Sequence, residues 1–428
     1  MKLDLRVSQL ENGLRVVTSA TPAVASVAIG VWVAVGGRHE ASRLSGISHF
    51  IEHLLFKGTT TRSAREISQA IEGRGGYFNA FTQEESTCYY AHVAAAHAAD
   101  VLDILTDMYR CPRFAPADIA KERGVIVEEI QMYHDQPQQL VQEMLGGLLW
   151  PDHPLGRPLA GRPATVQRLQ RADFLAYKHR YYQPAATLVV LAGQVEHAQA
   201  VAQVRQRLGR LRPQRAPACR PVTARTPQRD AVVRGKEIEQ AHLALGLRLF
   251  GRHDPRRFAL KLLSTVLGEN MSSRLFQIIR ERHGLAYSIH TSVDLFRDTG
   301  VLAISAGVDG DNLRRALELT VREIARLRAQ PVSAAELRRA RDYVIGQLLL
   351  GLENTSARMM WAADNILNYG RFIQPAEIME RFRRVTAHDV QTLAGDLFAP
   401  RRLSLALVAP EAGKAEEKLL RECARKLA

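Results

Sequence analysis

Along residues 27–35, and again along 243–250, apolar side chains alternate with a period of two, the pattern of a half-buried strand in an antiparallel sheet. Residues 45–57 switch to helical spacing, with Ser45 and Ser48 as N-cap residue types at the start. A second helix is expected over 116–133, where Pro116 falls in the first turn and its missing N–H costs nothing. Further helices are predicted over 140–149 and 334–352, and strands over 187–192 and 403–408 close the two halves. Strands, helices and strands in that order predict an α+β fold, each domain a mainly antiparallel sheet with helices packed on one side.

The two halves also echo each other. Gly37-Arg38-His39-Glu40 recurs as Gly251-Arg252-His253-Asp254, 214 residues later. Ala117 to Arg123 is echoed by Ala335 to Arg341, 218 residues later. Such offsets are too long for a solenoid and imply two duplicated domains. The expected division is 1–212, a Pro/Arg-rich linker at 213–229 holding Arg215, Arg220, Arg225 and Arg229 among Pro217, Pro221 and Pro227, and 230–428.

Composition narrows the function classes. The chain has 428 residues, 46% hydrophobic and 24% charged, which excludes a disordered or fibrous protein. Its net charge of +14 invites a nucleic-acid-binding reading. The arginines are scattered, however, and aromatics at 6% are too sparse for a base-stacking platform, so no nucleic-acid partner is expected. Cys88, Cys111, Cys219 and Cys423 lie far apart and read as reduced thiols. No apolar run reaches the length of a membrane span, and residues 1–17 lack a secretory apolar core, so the expected location is cytoplasmic, without a membrane partner.

The chemistry concentrates in His49-Phe-Ile-Glu52-His53. On a helix, positions i and i+4 share a face, so two imidazoles can reach one ion. Neutral imidazole is a preferred zinc ligand, and a catalytic zinc keeps three protein ligands and one open position. Glu52 borders the same face and could take a proton from a water polarised by such an ion. Two surface histidines on an amphipathic helix are the plainer account of the motif alone. Phe50, Ile51, Leu54, Leu55 and Phe56 oppose it, because a largely buried helix carrying two His and one Glu needs a compensating partner.

H-x-x-E-H is the inverzincin order. With Leu54-Leu-Phe-Lys-Gly-Thr59 behind it, the segment resembles the pitrilysin/insulinase family, in particular its mitochondrial-processing-peptidase-like branch. That resemblance implies a third zinc ligand about 76 residues beyond His53, where Glu129 stands, and a supporting role for Glu122, two helical turns earlier. Glu128 is the adjacent competitor, pointing about 100° away around the helix. By the same resemblance, the segment from Gly75 to Thr82, with Asn79, Ala80 and Phe81, is an edge strand that pairs with the substrate backbone. Arg280 and Tyr287 would reach the scissile carbonyl and donate to the oxyanion as it forms; a plain reading makes their segment a helix end capped by Gly284, and both readings can hold together.

The family's two-domain chains form a bowl, and two bowls close into a chamber. The implied protein is therefore a homodimeric zinc endopeptidase with one zinc per chain, acting on peptides or unfolded protein segments. Glu52 would be its general base and then its general acid. At the repeat offset of 214, His49, Glu52 and His53 fall on Leu263, Val266 and Leu267, and at 218 Glu129 falls on Gln347, so the second half is expected to hold no metal. The alternative is a non-catalytic or hetero-oligomeric subunit that uses the same fold for binding or assembly.

Overall fold

The computed structural model describes residues 3–223, 228–399, 402–410 and 413–426. Residues 224–227 of the expected linker, including Arg225 and Pro227, and the outer ends of the expected domains lie outside the described residues. The architecture is α+β, with one sheet in each of two compact units.

The first unit holds a six-stranded sheet of β1 (Asp4–Gln9), β2 (Arg15–Ala20), β3 (Ser26–Val33), β4 (Tyr77–Thr82), β5 (Thr87–Ala94) and β6 (Thr187–Gly193). Their spatial order is β1-β2-β6-β3-β5-β4, parallel only between β2 and β6. The second unit holds β7 (Ala231–Gly235), β8 (Gln240–Leu249), β9 (Ala286–Leu295), β10 (Gly300–Asp309) and β11 (Leu403–Ala409). Their order is β7-β11-β8-β10-β9, parallel only between β7 and β11. Dropping β1 makes the two orders identical, as a duplication requires.

Each sheet is covered on both faces. Val27, Ile29, Val31 and Val33 of β3 join a core with Phe50, Ile51 and Leu54 of the helix Ile47–Leu55. Ala28 and Trp32, on the opposite face, pack with Met359, Ala362, Ala363 and Ile366 of the helix Thr355–Tyr369. In the second unit, Leu140, Val141, Leu145 and Leu148 of the helix Pro137–Leu149 pack with Ala244, Ala303 and Ala406 of the sheet. The extra helix on the second face explains why β3 is buried at every position after Ser26 instead of alternating apolar with polar.

These covering helices come from the opposite halves of the sequence. The first unit comprises Met1–Gln131, Arg157–Arg220 and Leu348–Ala376, and the second Met132–Gly156, Pro221–Gln347 and Glu377–Ala428. A single division at 213–229 therefore does not describe the packing, because the exposed sheet face of each unit is closed by a helix the other half encodes. Among the described residues, no helix is long and apolar enough to cross a membrane.

Candidate metal centre

The motif helix Ile47–Leu55 starts later than residue 45 because Gly46 has φ +94°, in the left-handed region, and a Cβ there would meet the Ala160 carbonyl oxygen at 2.6 Å. No serine caps it. The Glu40 carboxylate instead accepts from Gly46 N–H at 2.8 Å and Ser48 N–H at 2.9 Å, taking up donors that a helix start leaves free. Ser48 Oγ lies 3.0 Å from Tyr177 Oη. Burial pushes the Glu40 carboxyl up to about 7, although these backbone donors and Arg157 oppose the shift.

The helix buries Ile47, Phe50, Ile51, Leu54 and Leu55, which leaves His49, Glu52 and His53 on its half-exposed side. The two imidazoles are neighbours, with ring centroids 4.7 Å apart. The helix Pro116–Asp135 meets them through Glu129. Its Oε1 is 3.7 Å from His49 Nε2 and its Oε2 is 3.4 Å from His53 Nε2. One ligand atom from each of His49, His53 and Glu129 lies within 4.8 Å of the others, and among the described residues this is the only such cluster of three or more His, Cys, Asp or Glu. Ile119, Glu122, Ile126 and Ile130 define the buried face of that helix; Glu129 borders it, whereas Glu128 is exposed.

The donor set suits a divalent cation. Burial pushes the His49 imidazole down to about 4, further lowered by His53 and only partly offset by Glu129, so it is neutral at ordinary pH. His49 Nδ1 is buried without a hydrogen-bond partner among the described residues, while Nε2 faces a carboxylate that has only lone pairs to offer. Burial disfavours charge on His53, but Glu129, Glu122 and Glu52 outweigh it and hold its pKa above the usual value. Two nitrogens and one oxygen with acid around them match a zinc site with an open position.

Glu52 is half-buried and accepts a hydrogen bond from Thr82 Oγ1 at 2.5 Å. Burial raises its pKa, against the Thr82 bond and His53, which lower it. Thr82 ends β4, which pairs with β5 alone, so Asn79, Ala80 and Phe81 lie on the outermost strand of the sheet, beside the motif helix. In the second unit, the Arg280 guanidinium sits 5.6 Å from the Tyr287 ring centroid. Arg280 is half-exposed and Tyr287 is 77% exposed at the start of β9, itself an edge strand. Gly284 has φ +60° and its N–H bonds the Arg280 carbonyl, closing the helical segment Phe276–Arg282.

Comparison with known proteins gives this arrangement a lineage. The profile described as insulinase (peptidase family M16) matches residues 15–162, and that of the peptidase M16 inactive domain matches 168–344. An uncharacterized zinc protease of Mycobacterium tuberculosis (strain ATCC 25618 / H37Rv) is 39% identical over 96% of this chain and 94% of its own. The chain belongs to the insulinase family, peptidase family M16. Another relative, the uncharacterized zinc protease YmxG of Bacillus subtilis (strain 168), is 37% identical over 94% of this chain and 97% of its own. The fold matches the crystal structure of a protease from Helicobacter pylori, with a TM-score of 0.88 at 22% identity, covering 96% of this chain and 100% of that one. It also matches a peptidase M16 inactive domain from Pseudomonas fluorescens, with a TM-score of 0.87 at 17% identity, covering 96% and 99%.

The family's inactive-domain profile, over 168–344, takes in the positions equivalent to the His-x-x-Glu-His motif, and these are apolar. Leu263, Val266 and Leu267 are buried in the core of the second unit, where an imidazole or carboxylate would find no partner. Three side chains in contact with the site's own residues in this M16 chain escaped sequence reasoning: Thr82 on Glu52, Lys57, whose Nζ lies 2.8 Å from Glu122 Oε1, and Glu40 at the start of the motif helix. The first two lie inside segments that carry the family resemblance, but nothing in their spacing says which side chains they meet. Glu40 carries a weak signal as the acid that ends the Gly-Arg-His repeat.

Proposed function

We propose that this protein is a zinc-dependent endopeptidase that hydrolyses peptides or unstructured protein segments. The observation that carries the reading is the convergence of His49, His53 and Glu129 with Glu52 alongside them. His49, His53 and Glu129 would hold one zinc per chain. A zinc held there supplies Lewis acidity, polarising the scissile carbonyl and easing deprotonation of water at neutral pH. Glu52 takes the proton from the attacking water at a carboxylate oxygen and passes it to the nitrogen of the leaving amine. Thr82 keeps that carboxylate aimed by its short hydrogen bond. The free edge of β4, through Asn79, Ala80 and Phe81, supplies backbone N–H and C=O groups to an extended substrate lying as an added strand.

We further place Arg280 and Tyr287 as donors to the carbonyl oxygen as its charge develops. The insulinase resemblance supports a homodimer in which two chains close into a chamber, with Arg280 and Tyr287 of the second copy completing each site. Such a chamber admits flexible chains and excludes folded proteins. The proposed location is the cytoplasm, in keeping with four cysteines spaced too far apart in the sequence to form a disulfide framework; cell fractionation tests it.

The deciding experiment incubates the purified protein with a mixed peptide library, with and without a chelator, and maps the cut sites. Internal cuts that vanish with chelator and return with zinc support the reading. Zinc-replete protein that cuts nothing favours the non-catalytic subunit instead. Sedimentation of the same preparation tests the homodimer.

A further inference from the structure

We infer that Lys57 is a positioning residue of the metal centre, acting through Glu122 on His53; this rests on the zinc-peptidase reading above. Glu122 is 2% exposed, and both its carboxylate oxygens are engaged. Oε1 lies 2.8 Å from Lys57 Nζ, and Oε2 lies 3.3 Å from His53 Nδ1. A carboxylate this deep keeps one position only while partners engage its oxygens.

Lys57 is not a loose surface lysine. Its side chain is 35% exposed, and its N–H bonds the Leu54 carbonyl at the end of the motif helix. Directly after it the chain turns at Gly58, with φ +111°, where a Cβ would meet the Arg62 carbonyl oxygen at 2.9 Å. The turn is then tied down by Thr59, Thr61 and Arg62, which all donate to Asp107 Oδ2 at 2.6 to 2.8 Å. The ammonium therefore reaches Glu122 from a fixed base, four residues beyond the histidine it serves.

The consequence lies at His53. With Glu122 held in place, its Oε2 accepts a hydrogen bond from His53 Nδ1–H, and the free lone pair stays on Nε2, the atom facing Glu129 at 3.4 Å. Among the described residues His49 has no equivalent support, since its Nδ1 finds no hydrogen-bond partner there. Of the two imidazoles, His53 is the one oriented through a hydrogen-bonded arm among the described residues, Lys57 to Glu122 to His53. Without Lys57 the carboxylate loses the partner of its Oε1 and its fixed position, and the His53 ring loses both its tautomer and its aim.

The test measures zinc dissociation constants by chelator competition, and the visible spectrum of the cobalt-substituted protein, for the full chain and for Lys57→Met, Lys57→Arg, Glu122→Gln and the Lys57→Met/Glu122→Gln double variant. Lys57→Met is expected to weaken zinc binding about 10- to 100-fold and to alter the cobalt bands. Lys57→Arg should recover most of the loss. The double variant should bind no more weakly than Glu122→Gln alone, and because it leaves no unpaired buried charge it folds even if Lys57→Met does not. Zinc affinity unchanged in Lys57→Met, or losses that add in the double variant, would overturn the inference. Failure of the unmutated protein to bind zinc would instead overturn the functional reading beneath it.

Discussion

At the scale of single residues, Glu52 divides metal binding from chemistry. It borders the triad, and its pKa is raised by burial while Thr82 donates to it. Glu52→Gln removes the proton carrier but none of the three ligands. Zinc content should stay near one per chain while kcat falls by about 10²- to 10⁴-fold; metal analysis beside peptide hydrolysis checks both halves of that expectation. Thr82→Val removes a bond that favours the charged form of Glu52. A general base must be ionised to work, so the acid limb of the kcat/KM profile should move to higher pH. A limb that stays put or moves lower would mean that Thr82 does not tune the base.

At the scale of elements, the motif helix is held at its entrance by a buried carboxylate in place of a serine cap. Glu40 titrates at about 7 in the folded chain, above the ordinary carboxylate value of 4.5. Protonation therefore favours the folded state. Its contribution is full below about pH 4.5 and is lost as pH rises through about 7. Glu40→Gln removes this titration, so the decline in stability between those two pH values should flatten in denaturant unfolding of the variant. The same element starts later than the expected 45–57: Ser45 is an N-cap residue type, but the left-handed Gly46 admits no earlier turn.

At the scale of the whole molecule, the exchange of covering helices links the two halves of the sequence. A fragment of residues 1–220 would lack Thr355–Tyr369, exposing Ala28, Trp32 and Val190 of its sheet, and would carry the apolar face of Pro137–Leu149 uncovered. Exposed patches of that kind drive aggregation. The fragment made alone should be insoluble, and made together with residues 221–428 it should be recovered as a soluble pair. A soluble, cooperatively unfolding 1–220 fragment would show that each half carries its own complete core.

Much of this was legible in the residues themselves. The period-two runs mark β3 and β8, the paired offsets mark the duplication, and the i, i+4 spacing of His49 and His53 alone puts two imidazoles on one face, because neighbours within an element are set by local geometry. The resemblance to the insulinase family supplied Glu129, at a distance no local rule reaches. What only the tertiary structure decided is which far-apart groups converge. Burial of Ile126 and Ile130 turns Glu129 toward the histidines and leaves Glu128 in solvent. Sheet register brings Thr82 to Glu52, and the packing of two helices brings Lys57 to Glu122. The exchange of covering helices belongs there too, since an apolar helix face states that it must be buried but not against which sheet.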